Sequence, residues 1–323
     1  MIGLPAFEYR APGTIGEACR LLADFGPRAM VVAGGTDLFP KVKRRQMQPE
    51  VVVDLSRIEG LSGISEDDDR GVVIGALTSL REIVAAKATL PTLSAAAAQV
   101  GAPQIRNVAT IGGNLCVDTR CSYFDQSGEW RLASGNCLKD GGDICTVAPK
   151  GERCWAVSSS DLAPVVVALD ATVRLVSVRG DREVSAADLY NNDGIAYLTK
   201  LPDEIMTEIR IPLRNGRRSA YSKLRRRGAI DFPILGTAAA LQFDEEGICS
   251  EARIVIGAVA SAPFRVAEAE ELLVGSRLTD DVIEETAAAA ARPVRPQANT
   301  DLGSRYRKWM ASVYMARTLR SLR

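Results

Sequence analysis

Thiol groups are the side chains of this 323-residue sequence best suited to metal or redox chemistry. Two of its seven cysteines, Cys19 and Cys249, lie in stretches with the pattern of a helix and a strand, and we expect them to be inert core residues. The other five share one polar segment that is broken by glycines: Cys116, Cys121, Cys137, Cys145 and Cys154. These five are the candidate ligands of a metal or cluster.

The spacing of the cysteines does not identify a metal by itself. Fifteen, seven and eight residues separate Cys121, Cys137, Cys145 and Cys154 in turn. Zinc sites usually contain a pair of cysteines with about two to four residues between them, and no two of these four cysteines form such a pair. The short-spaced cysteine runs of bacterial and plant-type ferredoxins are missing as well.

The composition of the cysteine segment indicates that a bound metal or cluster would help to order this loop. Five glycines and many charges lie between Cys121 and Cys154, so we expect that this stretch cannot bury enough apolar surface to order itself. A loop of this length is either disordered or clamped. The residues alone leave an iron-sulfur cluster, a zinc ion, unliganded thiols and disulfides open, with Cys116 as a possible substitute for Cys121.

Charge and composition exclude several classes of function. Forty basic and forty acidic residues balance, so no global charge points to nucleic acid or to an anionic membrane. Histidine is absent, which excludes histidine-based triads and histidine metal ligands. No secretory signal or membrane-spanning run is apparent, and we expect a cytoplasmic protein, in which disulfides are disfavoured.

Two glycine pairs form a second group of candidate binding elements. The stretch VVAGGTDL at 31–38 and the stretch TIGGN at 110–114 each predict a tight turn. Such turns let backbone N–H groups approach a pyrophosphate closely, although plain loop geometry explains a single glycine pair equally well. Neither matches the G-x-G-x-x-G dinucleotide fingerprint. We expect the basic run at 41–45 to be a solvated face.

The elements that must position these residues are a mixture of helices and strands. Thr14 predicts the start of a helix that ends at Gly26, and strands are predicted at 29–33, 51–55 and 71–77 as one β-α-β arrangement. A hairpin is predicted at 237–260, with helices before Gly275, after Thr279 and from Ser304 onward. A change of composition at 214–220 predicts a domain boundary.

The last predicted helix has an apolar face with two possible uses. It carries Tyr306, Trp309, Met310 and Val313 on one side. We expect this face to pack in the core, and a docking surface for another subunit is the alternative.

Four motifs taken together give the sequence a family resemblance. VVAGGTDL, TIGGN, SDLAP at 160–164 and YSKLRRRGAIDFP at 221–233 occur in this order. In this order they resemble the FAD-binding medium subunit of the molybdenum hydroxylases, the xanthine dehydrogenase and CO dehydrogenase group. The resemblance covers essentially the whole chain, including its last segment.

The resemblance implies an α+β fold in two domains. Residues 1–216 would form a two-lobed FAD-binding domain, with lobes at about 1–57 and 58–216 and a cluster-binding loop at 116–155. Residues 217–323 would form a C-terminal flavoprotein domain of antiparallel sheet and helices.

The cysteine segment narrows the resemblance to one branch of the family. Most members lack this insertion, but the β subunits of 4-hydroxybenzoyl-CoA reductases have a loop that binds a 4Fe-4S cluster. The resemblance implies that Cys116 is a neighbour of the cluster. It assigns the cluster ligands to Cys121, Cys137, Cys145 and Cys154.

The resemblance also implies a set of FAD-binding residues and no catalytic residue. Asp161 would lie near the ribityl and adenosine parts of FAD, and Lys223 near its isoalloxazine ring, where it would favour a reduced flavin. The resemblance also implies a contact from Met206. The glycine turns would contribute Val32, Ala33, Gly34, Gly35, Thr36, Asp37, Thr110, Gly113 and Asn114.

The function implied by the resemblance is electron transfer. FAD and the 4Fe-4S cluster would link a ferredoxin-like donor to a 2Fe-2S small subunit and a molybdopterin-binding large subunit. The complex would be a dimer of heterotrimers. It would convert 4-hydroxybenzoyl-CoA to benzoyl-CoA in anaerobic aromatic degradation. One alternative is the FAD subunit of a related molybdenum hydroxylase that oxidises a heterocycle or another acyl-CoA. Another is a zinc-stapled scaffold without redox activity.

Overall fold

The computed structural model describes residues 3–67 and 71–323 and shows three sheets with helices packed between and around them. The first two sheets lie in the part of the chain before residue 212, and the third lies after it. Helices and antiparallel strands occur in both parts, so the predicted α+β class is confirmed. In the described part of the chain, no helix has the length and apolar character needed to cross a membrane.

The first sheet is small and parallel. Its strands are β1 (Glu8–Arg10), β2 (Ala29–Val32) and β3 (Val51–Asp54), in the order β1-β3-β2. Helix α1 (Ile15–Phe25) begins at Thr14, whose side chain accepts a hydrogen bond from the Glu17 N–H, as the sequence predicts. The helix buries Cys19 and Leu22 against the sheet.

The second sheet is antiparallel, and it corrects one prediction. The third predicted strand, at 71–77, does not continue the first sheet. It forms β5 (Gly71–Gly75), which pairs antiparallel with β4 (Ile64–Asp67) and with β8 (Ile205–Ile211). The reason is nonlocal, because Val72 and Ile74 pack in a separate core.

Further elements complete this second lobe. The sheet order is β4-β5-β8-β6-β7. Its two remaining strands are β6 (Thr172–Ser177) and β7 (Gly180–Ser185). The helices of the two lobes after α1 are α2 (Leu38–Lys43), α3 (Leu80–Ala85), α4 (Pro91–Ala97), α5 (Pro103–Arg106), α6 (Ile111–Leu115), α7 (Gly128–Ala133) and α8 (Ala163–Ala168).

The third sheet forms the centre of the C-terminal part, where the predicted hairpin and helices are found. The sheet is antiparallel in the order β12-β11-β10-β9. Its strands are β9 (Arg218–Leu224), β10 (Leu235–Phe243), β11 (Cys249–Gly257) and β12 (Phe264–Arg265). Its helices are α9 (Ala267–Leu273), α10 (Asp280–Ala291) and α11 (Ser304–Arg320).

Strand β10 contributes side chains to two different cores. Ala238 and Ala240 pack with the core of the second lobe, whereas Ala239 and Leu241 pack with the C-terminal helices. Successive side chains of a strand point to opposite faces, which explains this alternation. The strand is therefore buried on both faces and joins these two cores.

The apolar face predicted for the last helix is only partly buried. Met310 is buried, but Tyr306 is 40% exposed and Trp309 is 62% exposed, so core packing is wrong for these two aromatic residues. Arg307 is instead fully buried, and its guanidinium donates to the carbonyl oxygens of Ile234, Gln297 and Ala258. Burial lowers the pKa of Arg307 to about 10.

We expect Arg307→Met to destabilise the protein by roughly 3 kcal/mol, because three buried carbonyl oxygens lose their donor. Chemical denaturation of the two proteins side by side measures the difference. The matched control is Arg305→Met, an exposed position on the same helix, which should change stability by less than about 0.5 kcal/mol. Equal stabilities of the two variants would contradict a structural role for the buried guanidinium.

Candidate functional site

The first glycine turn connects β2 to α2 and fits closely against the second lobe. A Cβ atom placed on Gly34 would lie 1.9 Å from the carbonyl oxygen of Val108. Gly35 has a φ of +66°, and a Cβ there would lie 2.6 Å from the ring of Phe39. Only glycine fits at both positions, because the Val108 carbonyl and the Phe39 ring occupy the space that a Cβ atom would take.

The second glycine pair was predicted to form a tight turn, but it lies in the short helix α6. It lies beside the first pair because Val108 and Ala109, which contact Gly34, precede this helix. Thr110 caps the short helix α6 by accepting a hydrogen bond from the Gly113 N–H. The Asn114 side-chain oxygen accepts from the Ser160 hydroxyl at 2.8 Å and from the Leu162 N–H at 3.2 Å. Asn114 therefore ties this helix to the segment that contains Asp161.

Asp161, just before α8, and Lys223, on β9, form a buried ion pair. The Lys223 ammonium donates to Asp161 and to the carbonyl oxygens of Gln99 and Asp231, each at 2.9 Å. The Tyr221 hydroxyl donates to the other oxygen of Asp161 at 2.8 Å. Burial raises the pKa of the Asp161 carboxyl and lowers the pKa of the Lys223 ammonium, because both charges are removed from water.

The remaining residues predicted to bind FAD lie in different surroundings. Val32 is buried at the end of β2, and Ala33 and Thr36 are partly exposed in the turn. Asp37 forms an ion pair with Arg120, whose guanidinium lies 3.8 Å from the centre of the Phe232 ring. Met206 belongs to the hydrophobic core of the second lobe.

Four of the five clustered cysteines surround a single pocket. Cys121, Cys137, Cys145 and Cys154 line it together with Phe124, Lys139 and other residues, and Cys116 is not part of its wall. All seven cysteines are free thiols. Burial raises the pKa of the Cys121 thiol to about 11.

The thiols surround this pocket without converging on a point. Among residues 3–67 and 71–323, no group of three or more histidine, cysteine, aspartate or glutamate side chains could hold a metal ion. A tetrahedral zinc site needs four ligands that meet at one ion. The donor set of four thiols around a pocket is the chemistry that an iron-sulfur cluster requires.

The cysteine segment is clamped by charged side chains that the sequence analysis did not identify. Lys139, in the segment itself, and Lys41, on α2, both form ion pairs with Asp118. Lys41 is fully buried, so a solvated face is wrong for this residue of the basic run. Burial alone would raise the pKa of Asp118, but the ammonium groups of Lys139 and Lys41 hold it below its ordinary value.

Gly194 is a further contact that sequence reasoning missed. A Cβ on this residue would lie 2.6 Å from the Cys154 sulfur. The Gly194 N–H donates to the Cys154 carbonyl oxygen at 2.9 Å, and the Gly194 carbonyl accepts from Lys139 at 2.7 Å. No local pattern marks this glycine, because its partner lies forty positions earlier in the sequence.

Comparisons with known proteins agree with this architecture. Residues 5–214 match the family model of the FAD binding domain in molybdopterin dehydrogenase, and residues 219–322 match that of the CO dehydrogenase flavoprotein C-terminal domain. The chain is 31% identical to the 6-hydroxypseudooxynicotine dehydrogenase complex subunit alpha of Paenarthrobacter nicotinovorans, over 98% of this chain and 94% of that protein.

The flavin subunit of another enzyme and a solved structure are also similar to this chain over most of its length. The nicotinate dehydrogenase FAD-subunit of Eubacterium barkeri is 32% identical over 87% of this chain and 83% of its own length. A chain of carbon monoxide dehydrogenase from Hydrogenophaga pseudoflava superimposes with a TM-score of 0.82 at 30% identity, covering 99% of this chain and 98% of that one.

We expect Gly194→Ala to displace Cys154 and to lower stability by about 1–3 kcal/mol, because the added methyl group overlaps the sulfur. Thermal unfolding and the rate of thiol labelling at Cys154 measure the effect. Gly128→Ala, in the same cysteine segment but with open space around the site of the new methyl group, is the control. The close packing of Gly194 is refuted if the two variants behave alike.

Proposed function

This chain belongs to the FAD-binding medium subunits of the molybdenum hydroxylase family, the xanthine dehydrogenase and CO dehydrogenase type, and we propose that it carries a 4Fe-4S cluster in addition to FAD. Its relatives are subunits of dehydrogenase complexes, and the chain is accordingly an oxidoreductase subunit. The observation that carries the proposal of a cluster is the pocket surrounded by four thiols.

The two glycine turns and the domain interface are the proposed FAD site. Gly34 and Gly35 would offer backbone N–H groups to the pyrophosphate, because glycine lets a backbone approach a ligand closely. Gly113, whose own N–H donates to Thr110, would border the same site. Asp161 and Lys223 would contribute their charges at the domain interface, where each already has fixed partners. The remaining proposed contacts are Val32, Ala33, Thr36, Asp37, Thr110, Asn114 and Met206.

The four cysteines around the pocket are the proposed ligands of the cluster. Thiolates are the protein ligands that hold such clusters, and the chain has no histidine that could replace one of them. When bound, FAD and the cluster would supply the electron transfer, while the chain supplies their positions and the electrostatic surroundings. We assign a catalytic role to none of the proposed contacts.

The proposed role of the subunit is a relay in a larger complex. We place it between a low-potential donor such as a ferredoxin and two partner subunits, one with 2Fe-2S centres and one with molybdopterin, in a dimer of heterotrimers. The cytoplasm is the proposed location, because its reducing conditions keep thiols free. The proposed net reaction is the reductive removal of the hydroxyl group of 4-hydroxybenzoyl-CoA during anaerobic aromatic degradation. The resemblance of the cysteine segment to that branch of the family supports this substrate.

A second candidate is oxidation of a heterocycle by a related molybdenum hydroxylase. It is favoured by the names of two relatives, the nicotinate dehydrogenase FAD-subunit and the nicotine 6-hydroxylase medium subunit, which are 32% and 31% identical to this chain. Assays of the intact complex distinguish the candidates. Formation of benzoyl-CoA with a reduced low-potential donor supports the first, and oxidation of a heterocycle without that activity supports the second.

The most direct test of the cofactor content is analysis of the complex purified without oxygen. We expect flavin, iron and acid-labile sulfide in this subunit, and visible flavin bands on a broad iron-sulfur absorbance. A preparation that contains flavin and zinc but no sulfide would refute the cluster and leave only the family assignment.

We expect Cys137→Ser to remove the cluster iron from this subunit while FAD remains bound, because one of four ligands is lost. Iron, sulfide and flavin analysis of the purified subunit measures both cofactors. The control is Cys116→Ser, since Cys116 does not line the pocket. The ligand assignment fails if the Cys137 variant retains its full iron content.

We expect Gly34→Ala to reduce the FAD content severalfold, because the new methyl group collides with the Val108 carbonyl and moves the turn. Flavin released by heating, measured per chain, gives the occupancy. Gly13→Ala, an exposed position in the same lobe where a methyl group meets only the Glu17 side chain at 3.9 Å, should retain FAD. Full occupancy in both variants would argue against the first turn as part of the FAD site.

A further inference from the structure

We propose that Lys139 raises the reduction potential of the cluster by holding a fixed positive charge in the wall of the cysteine pocket. This inference rests on the proposed function, because it concerns the surroundings of the cluster that the four cysteines would hold. It goes beyond that function by naming a residue that is not a ligand and that sets how readily the cluster accepts an electron.

Lys139 lies next to the cysteines both in sequence and in space. It is two residues after Cys137, and it lines the same pocket as the four thiols. Its side chain is only 8% exposed. The ammonium is thus a buried charge beside the sulfurs.

Hydrogen bonds fix the Lys139 ammonium in place. It donates to the Asp118 carboxylate at 2.6 Å, to the Thr119 hydroxyl at 2.6 Å and to the Gly194 carbonyl at 2.7 Å. The rings of Phe124 and Tyr197 lie beside it, with centroids 5.4 Å and 5.6 Å from the nitrogen. All three N–H donors are used, so the charge cannot swing out toward solvent.

The buried charges around Lys139 leave an excess of positive charge. Asp118 is one carboxylate between two ammonium groups, those of Lys139 and Lys41. The nearby Arg131 guanidinium is balanced by its own partner, Asp140. The network therefore does not neutralise itself, and one positive charge remains unmatched beside the thiols.

An unmatched positive charge at this place has a defined electrostatic consequence. Each electron added to a thiolate-bound cluster makes it more negative, so a nearby cation stabilises the reduced state more than the oxidised state. The interaction is strong because the surroundings are buried and poorly screened by salt. Net charge and hydrogen bonding around a cluster are known determinants of its potential.

The test is a redox titration of the cluster in the purified complex, followed by electron paramagnetic resonance. Lys139→Gln removes the charge but keeps a donor for its neighbours. We expect the ratio of reduced to oxidised cluster at a fixed solution potential to fall about tenfold, which corresponds to a shift of about 59 mV for a one-electron centre. Iron content per chain is measured in parallel, so that loss of the cluster is distinguished from a change of its potential.

Two matched variants separate charge from packing. Lys139→Arg keeps the charge and should stay close to the wild-type potential. Lys150→Gln removes a charge from an exposed position in the same segment, where solvent screens it, and should also leave the potential unchanged. The proposal is overturned if the Lys139→Gln potential equals that of the wild type, or if Lys139→Arg shifts it as far as Lys139→Gln does.

Lys41→Gln keeps the proposal testable if Lys139→Gln loses its iron. It removes a charge from the same network at a residue that does not line the pocket. The ratio of reduced to oxidised cluster at a fixed solution potential should therefore fall by less than tenfold. An unchanged potential in this variant would then overturn the proposal. Absence of iron from the wild-type complex would refute the cluster itself, whereas an unchanged potential in loaded variants refutes only the role of Lys139.

Discussion

The carboxylate of Asp118 is the interaction on which the arrangement of the candidate site depends. It receives the Lys41 ammonium from α2, the helix that starts at the first glycine turn, and the Lys139 ammonium from the cysteine segment. Helix α2 and the cysteine segment share no sheet, so side-chain contacts connect them. Asp118 supplies the buried one, and the Asp37–Arg120 ion pair and the hydrogen bonds of Gln46 and Arg131 add to it. The side chains of all three residues are buried, and removing the carboxylate would leave two ammonium groups without their partner, at a cost of about 3–5 kcal/mol. The distance between the glycine turns and the cysteine pocket is therefore fixed by charge pairing.

Much of the fold could be predicted from the sequence where the signals are local. Thr14 and Thr279 cap the helices that they were expected to cap, and the hairpin turns between Asp244 and Gly247 as expected. The partners of β5 could not be predicted, because sheet membership depends on residues more than a hundred positions away in β8. The prediction that Tyr306 and Trp309 of α11 pack in the core failed for a related reason. The helix buries Arg307 among three carbonyl groups on the side that also buries Met310, and this leaves Tyr306 and Trp309 outside the core.

The candidate site was predictable to the extent that residue type alone determines chemistry. Gly34 was recognisable, since only glycine tolerates the approach of the second turn, and the four pocket cysteines were recognisable as possible soft ligands. The buried position of Lys41 could not be recognised, because a lysine in a basic run has no local signal that distinguishes a solvated side chain from a buried one. Gly194 was hidden for the same reason, as its need to be small arises only from the Cys154 sulfur beside it. Residues that support a site thus escape sequence reasoning more readily than residues that form it.

Strand β10 gives the molecule a mechanical property that follows from its two buried faces. Its alanines at 238 and 240 belong to one core, and the residues between and after them belong to the other. A hinge between the domains would have to expose apolar surface on both sides of this strand at once. We therefore expect the parts of the chain that meet at this strand to move as one body, without a clamshell motion between them.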